Sequence, residues 1–495
     1  MAPRPRPPHT RRAVRLVAGL SAVLLATAGI AACGKSGGKS DSPAAGGTTT
    51  ITIEGPNQWN DSGSSFGKPW ENMIAAFEKQ EPTIKVTTSV LPLKTFGQTI
   101  STQLSAGTAP ELVFNQATFQ PYMVHHLDDE MKQPNPYVPG NKAWIDLFNP
   151  TYFGTAHAGS VDGEGHLNWV PFNLVGVAVF YNQDAFSKAG VTAPVKTFSD
   201  LISTCQKLTT AGYTPFAMEN SDIGVSWSAA AIAYQLLAPK YAALNVYDAA
   251  GKAGTSPQLT TKDWTKAVLA GDVKTTDPEV SETLRLTKQF FDSCVTKNWS
   301  GITGNSGALV GIRDFSTAKA AMTWGTDFAS DTLSDVKFKY ATMPFPTVMK
   351  DSSPASQNVS AQWGVSAGGT SYMIPAKITG AKLAAAVKFL QFVSAPDHIQ
   401  TWLSETGAVP AVSGVKTTDA NAGYLSGDWG KPAVAGSIPA GPPGTTLVGL
   451  YDGYLLGAKT LPQQEEYLQG LWNKWAAYNV TTNKWQSETW AKGVK

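Results

Sequence analysis

Aromatic, amide and carboxyl side chains gather in short segments that follow extended runs of the chain. Asn57, Gln58, Trp59, Asn60 and Asp61 come after Thr50–Glu54, and Asn115 and Gln116 come after Leu112–Phe114. Trp227 opens an Ala-rich run behind Glu219 and Asn220, and Trp324 and Asp327 follow Ala320–Thr323. Gln362, Trp363, Gly369 and Tyr372 form a last group. An indole offers a flat apolar face, while amides and carboxylates satisfy hydroxyls. That combination suits a pyranose, which has one C–H face and a rim of hydroxyls. Each hydroxyl left unpaired on burial costs about 1–3 kcal/mol, so the polar set must be nearly complete. Open α/β sheets bind ligands at the ends of their strands, where these segments fall. Not every indole belongs to such a set. Trp70, Trp402, Trp472 and Trp475 fall on helical apolar stripes and are expected in the core. Asn115 and Gln116 have a second reading as caps of a following helix.

Other chemistries fit less well. Gly364-Val-Ser-Ala-Gly368 has the spacing of a nucleophile elbow, but a strand-like run follows it rather than a helix, and the only later histidine is His398. His125 and His126 stand near Asp128, Asp129 and Glu130, yet adjacent residues on a helix face apart, so a solvated patch is expected there rather than a metal site. GKSGGKS after Cys33 lacks the first glycine of a phosphate loop and the strand before it. A glycosidase pair among the 37 acids remains an open alternative. No cofactor is expected.

The elements that carry these segments alternate. Thr50–Glu54 reads as a strand, and Trp70, Met73, Ile74 and Phe77 as a helix stopped by Pro82. Ile84, Val86, Thr88 and Val90 alternate again. Phe96, Ile100 and Leu104 mark a helix ending at Gly107, and Glu111–Phe114 reads as a short buried strand. This β-α-β-α-β run predicts an open α/β sheet. Asp162–Gly165 predicts a hairpin turn, Thr197–Asp200 a capping box, and Ala381–Val393 a buried helix. Tyr467, Leu471 and Trp475 predict the buried stripe of a last helix opening at Pro462.

With 495 residues the chain is too long for one ordinary domain. Lys and Arg total 39 against 37 Asp and Glu. Five Arg and no acid lie in residues 1–32, so the remainder carries 34 basic against 37 acidic residues, a charge of −3. Nucleic-acid binding by bulk positive charge is thereby disfavoured. Three cysteines exclude a disulfide-dense scaffold. Arg4 to Arg15 followed by the apolar run Leu16–Ala32 reads as a cleaved export signal. Thr10–Val14 leaves the twin-arginine route open beside the general one. Ile30-Ala31-Ala32-Cys33 resembles the lipobox of bacterial lipoproteins, which implies acylation of Cys33 and a tether to the outer face of the cell membrane. Residues 33–49 form a Gly/Ser-rich linker. Outside the cytoplasm Cys205 and Cys294 can form a bridge; two buried thiols are the other reading.

Several motifs then occur in a telling order. Gly107-Thr-Ala-Pro-Glu-Leu-Val-Phe114 is followed by Trp169–Phe172, Phe180-Tyr181-Asn182, Phe186–Gly190 and Pro194–Leu201. Lys319–Gly325, Gly364–Ile374, Ala385–Val393, Trp402 and Gly407–Pro410 come later. Taken together the chain resembles the family 1 extracellular solute-binding proteins of ABC importers, the sugar-binding branch that includes maltose-binding protein. The resemblance runs from Thr50 to the C-terminus, with Glu111 where the family usually has Asp and without the glycine that usually opens the Lys319 segment. It implies an α/β fold of two lobes joined by crossing strands, a Venus flytrap. Lobe one would hold residues 50–172 plus 350–412, and lobe two 173–349 plus 413–495. It further implies a monomer without enzymatic activity that closes over a carbohydrate and delivers it to the transmembrane subunits of a permease. Trp324 would match a sugar-stacking position. Polyamine or peptide binding, with Asp61 and Asp327 as the acids, is the alternative within the same fold.

Overall fold

A computed structural model describes residues 47–56, 62–116, 119–155, 160–162, 164–248, 250–303, 309–436 and 438–494. Alternating apolar residues build β1 (Thr49–Pro56) and β2 (Ile84–Leu91), paired in parallel from Thr49↔Ile84 to Pro56↔Leu91. Between them α1 (Lys68–Gln80) buries Trp70, Met73 and Phe77. Next, α2 (Leu93–Ala106) ends on Gly107, whose φ of 66° is the left-handed conformation that glycine allows and whose N–H turns back to the carbonyls of Gln103 and Leu104. Then come β3 (Leu112–Phe114), α3 (Asp128–Met131), β4 (Val170–Pro171), β5 (Asn173–Leu174) and β6 (Val177–Asn182). Asn182 caps α4 (Gln183–Lys188) and Thr197 caps α5 (Phe198–Thr210), each by accepting a backbone N–H from the first turn.

β7 (Thr214–Phe216) precedes a helical block of α6 (Asp222–Tyr241), α7 (Thr261–Ala270), α8 (Pro278–Cys294) and the short α9 (Ile312–Ser316). β8 (Ala320–Thr326), α10 (Ala329–Thr332), β9 (Tyr340–Met343) and β10 (Ser371–Met373) follow. The chain continues through α11 (Gly380–Val393), α12 (Pro396–Thr406) and β11 (Val409–Pro410), then α13 (Asp452–Leu455) and α14 (Leu461–Thr482).

Two sheets result. The first has the order β2-β1-β3-β10-β4, with β10 antiparallel to both its neighbours. The second has the order β7-β8-β6-β9, with β6 antiparallel to β8 and β9. Between the sheets β5 and β11 form a two-stranded antiparallel ribbon, Leu174↔Val409 and Asn173↔Pro410. Three strips of chain pass from one sheet to the other. One joins β4 to β6, one runs from β9 to β10, and one leaves β11 for the 3-10 turn Asp419–Leu425, which hydrogen-bonds β9 through Thr342. This is the two-lobed α/β architecture.

Two large cores form, and the first continues across the crossings to Phe180, Leu309 and Phe315 of the second lobe. Ile51, Phe77, Leu112, Phe172, Tyr372 and Trp402 fill the first. Val179, Phe216, Phe290, Met322 and Trp324 fill the second, where a Cys205–Cys294 disulfide joins α5 to α8. A further cluster packs α7 against α14 around Trp264 and Trp472. Residues 350–364 lean on the second lobe: Ser356 Oγ donates to Val348 O at 2.7 Å, and Ala361 is buried in that core.

The stripe expected on the last helix is displaced. α14 buries Gln464, Leu468, Trp472, Ala476 and Val480, whereas Tyr467 is 37% exposed and Trp475 only half-buried. Apolar residues occupy two adjacent stripes, and Gln464, whose Nε2 donates to Leu450 O, selects the one turned inward.

Candidate functional site

Four indoles meet around β8 of the second sheet. Trp324 belongs to β8 itself rather than to a loop after it, because the strand runs on to Thr326. Its ring is fully buried, lies stacked on Phe345 at 5.4 Å, and donates Nε1–H to Ser228 Oγ at 2.9 Å. The expectation that Trp324 presents its face to a ligand is thereby corrected: it supports the rings around it. Trp227 crosses it edge-on at 6.5 Å and Trp363 lies tilted at 6.2 Å. Trp227 and Trp363, 6.3 Å apart, are both half-buried, so each keeps accessible surface. Trp429 completes the set by stacking under Trp363 at 5.8 Å, with Nε1–H donated to Val177 O at 2.7 Å.

Local structure fixes these rings. α6 begins five residues ahead of Trp227, where Ser221 accepts the Gly224 N–H. A Cβ on Gly224 would lie 2.6 Å from Met218 Sδ, so the bare glycine lets the start of α6 press onto the core. Trp363 and Gly364 both donate their N–H to Trp429 O, which locks the second crossing to the 429 loop.

Two tyrosines join the cluster. Tyr234 lies two helical turns beyond Trp227 and meets Trp363 at 5.4 Å. Tyr451 follows the turn Val448–Leu450, which Asp222 holds against α6 by accepting the Val448 N–H at 2.8 Å. Burial pushes the Tyr234 phenol up to about 12. Burial, with Tyr234 facing it, pushes Tyr451 to about 12 as well. Both stay neutral donors at physiological pH. Trp227, Trp324, Trp363, Trp429 and Tyr234 thus form an aromatic cluster, with Tyr451 packed beside Tyr234. Sequence reasoning missed Trp429, Tyr234 and Tyr451. Only Tyr234 had a legible signal, its seven-residue spacing from Trp227.

The other expected site residues lie elsewhere. Asp327 is fully buried at the end of β8 and accepts Asn173 Nδ2–H at 2.6 Å. Gly369 packs on the same asparagine, since a Cβ there would lie 2.8 Å from Asn173 Nδ2. Tyr372 is 1% exposed inside lobe one, ringed by Trp70, Phe114 and Phe172, because β10 is a central strand. Asp327, Gly369 and Tyr372 are therefore corrected from ligand contacts to interior residues. Asn115 prolongs the β3–β10 pairing by donating its N–H to Ser371 O; its side chain is half-buried, and Gln116 is exposed. Asn57, Trp59, Asn60 and Asp61 lie outside the described residues, as does Cys33.

The histidines pair with single acids. His125 Nε2 lies 2.7 Å from Glu130 Oε1, and His166 Nδ1 lies 3.1 Å from Asp128 Oδ2, with His126 stacked on His166. Among the described residues no three His, Cys, Asp or Glu converge to hold a metal ion, and no helix is long and apolar enough to cross a membrane. A groove of about 520 Å³ runs between α1 and β2, bordered by Ser64, Glu71 and Thr88, and none of the sequence-chosen residues that are described lines it.

Residues 60–399 match the profile of the bacterial extracellular solute-binding proteins, and the chain belongs to that family. No curated protein matches it. Among solved structures, a chitin oligosaccharide binding protein is 19% identical, covering 87% of this chain and 99% of its own, with a TM-score of 0.59. The apo form of RafE from Streptococcus pneumoniae is 18% identical over 88% and 100%, with a TM-score of 0.57. A cyclic alpha-maltosyl-1,6-maltose binding protein from Arthrobacter globiformis is 15% identical over 87% and 99%, with a TM-score of 0.55. These likenesses establish a shared fold.

Proposed function

We propose that the chain is an extracytoplasmic receptor that captures a mono- or oligosaccharide between its lobes and hands it, unaltered, to the transmembrane subunits of an ABC importer. One observation carries the reading. Trp227, Trp363 and Trp429 pack over Trp324 as neutral rings, with Tyr234 against Trp363 and Tyr451 beside Tyr234. Neutral indole faces match a sugar's C–H face and phenols match its hydroxyls, whereas a polyamine needs facing carboxylates. The solved relatives named for chitin oligosaccharide and cyclic maltosyl-maltose support the same ligand class. Ligand contacts to both lobes would drive closure by population shift. On this reading Asn57, Trp59, Asn60 and Asp61, with Asn115 and Gln116, serve the facing lobe. The lobes are 50–172 plus 350–412 and 173–349 plus 413–495, with 350–364 leaning on the latter. The protein acts as a monomer without catalysis, tethered through acylated Cys33 behind a signal peptide (residues 1–32) and a linker (33–49).

The test is calorimetry and product analysis with raffinose, maltose and chitin oligosaccharides. Saturable stoichiometric binding without product is expected. Turnover, or silence toward every saccharide together with binding of spermidine, removes the reading.

A further inference from the structure

One buried pair touches all three strips that join the lobes. Asn173 lies on the first crossing, and its backbone pairs with Pro410 of β11, where the third begins. Its Oδ1 accepts the Thr370 N–H of the second crossing at 2.7 Å. Its Nδ2 donates to Leu174 O at 2.8 Å and to Asp327 Oδ2 at 2.6 Å. Gly369 of the second crossing leaves no room for a side chain against this amide. The Asp327 carboxyl, fully buried at the end of β8, also faces the backbone N–H groups of Gly176 and Val409, from the first and third crossings. Among the described residues its other oxygen, Oδ1, accepts no hydrogen bond of ordinary geometry. None of the indoles of the candidate site is among these partners.

We propose that Asn173 and Asp327 are positioning residues for solute capture, a polar knot whose protonation sets how tightly the three crossings pack and so couples lobe opening to pH. A neutral carboxyl can sit dry between the crossings. An ionised one in the same place has lost its water despite these donors, and opening that spreads the crossings lets water return to it. Rising pH therefore favours the open state. Burial pushes Asp327 up to about 7, against the opposing pull of Asn173 and the N–H groups of Val409 and Gly176, which places the change near neutrality. The titratable groups facing it are Tyr424, on the 3-10 turn Asp419–Leu425, and Tyr340 of β9 behind that. Burial raises both phenols, so they stay neutral across this range. β5 and β11 present amides.

The proposal assumes two-lobed capture but its test needs no solute, so it can fail while the carbohydrate reading stands, and the reverse. Small-angle scattering of the ligand-free protein from about pH 5.5 to about pH 8.5 should show the radius of gyration rising with a midpoint near neutrality. Asp327→Asn should hold the low-pH value throughout. Asn173→Ala removes a donor to the ionised form and should move the midpoint upward, an effect that a merely structural role would not produce. A flat wild-type profile, an equal rise in Asp327→Asn, or an unmoved midpoint in Asn173→Ala overturns the proposal. The wild-type profile decides even if a variant does not fold.

Discussion

Two aromatic clusters, one in each lobe, are made of the same residue types and are buried to different depths. In lobe one Trp70 and Phe172 pack edge and face against each other and against Tyr372 and Trp402, with centroids 5.2–6.3 Å apart, and every ring is at most 2% exposed. In lobe two Trp324 and Trp429 are equally buried, but Trp227, Trp363 and Tyr234 remain half-open above them. The first is a closed core between α1 and β10. The second is a platform with a foundation. Composition alone does not separate a core from a binding surface; the difference is the last few square ångströms of access on the outer rings.

The most severe break of that comparison is Trp324→Ala. Removing a buried foundation ring should cost about 3–5 kcal/mol of stability in denaturant melts, as Trp70→Ala should in lobe one. Replacing Cys205 and Cys294 by Ala should cost about 2–4 kcal/mol, with hydrogen exchange rising around α5 and α8 and not in lobe one.

Two buried carboxylates should give the lobes opposite pH signatures. Asp327 is raised by burial, so the native state binds the extra proton; that stability is present at low pH and is lost as pH climbs through about 7. Burial alone would raise Glu111 too, but the Lys382 ammonium and the Thr52 N–H outweigh it and hold it below the usual carboxylate range. Its contribution is present above its ordinary value and is lost on acidification. Thermal melts across pH should therefore decline on both sides, and Asp327→Asn should flatten only the neutral side.

Trp363→Ala should weaken saccharide binding at least tenfold, about 1.4 kcal/mol, with a much smaller loss of stability than Trp324→Ala. Calorimetry paired with melts reads both, and equal stability losses at the two positions would erase the distinction between platform and foundation. The smallest effect is expected from Tyr234→Phe, about 0.5–1.5 kcal/mol of affinity with the ring contact kept.

Much of the frame was legible. Alternation gave β1 and β2, and Gly107 and Pro82 bracketed their helices as punctuation should. The candidate site was harder. Trp324, Asp327 and Tyr372 lie in the interior for one reason: each sits inside a strand or at its buried end, and where a strand stops depends on pairing partners more than 100 residues away. Tyr372 is interior because β10 enters between β3 and β4. Trp429 and Tyr451 were invisible because loops around residues 429 and 448 are drawn to α6 and the second crossing by contacts such as Asp222 to Val448, which no local pattern encodes. No sequence signal singled out Asn173, and only the convergence of three crossings reveals it.

Trp363 rides on the second crossing itself, anchored to the Trp429 carbonyl at one end of that strip, while Gly369 abuts Asn173 six residues on. The proposed sugar contact and the proposed polar knot thus lie on a single ribbon of backbone. If both proposals hold, a guest leaning on that indole would tilt the segment that flexes, and guests of different girth would halt the lobes at different apertures.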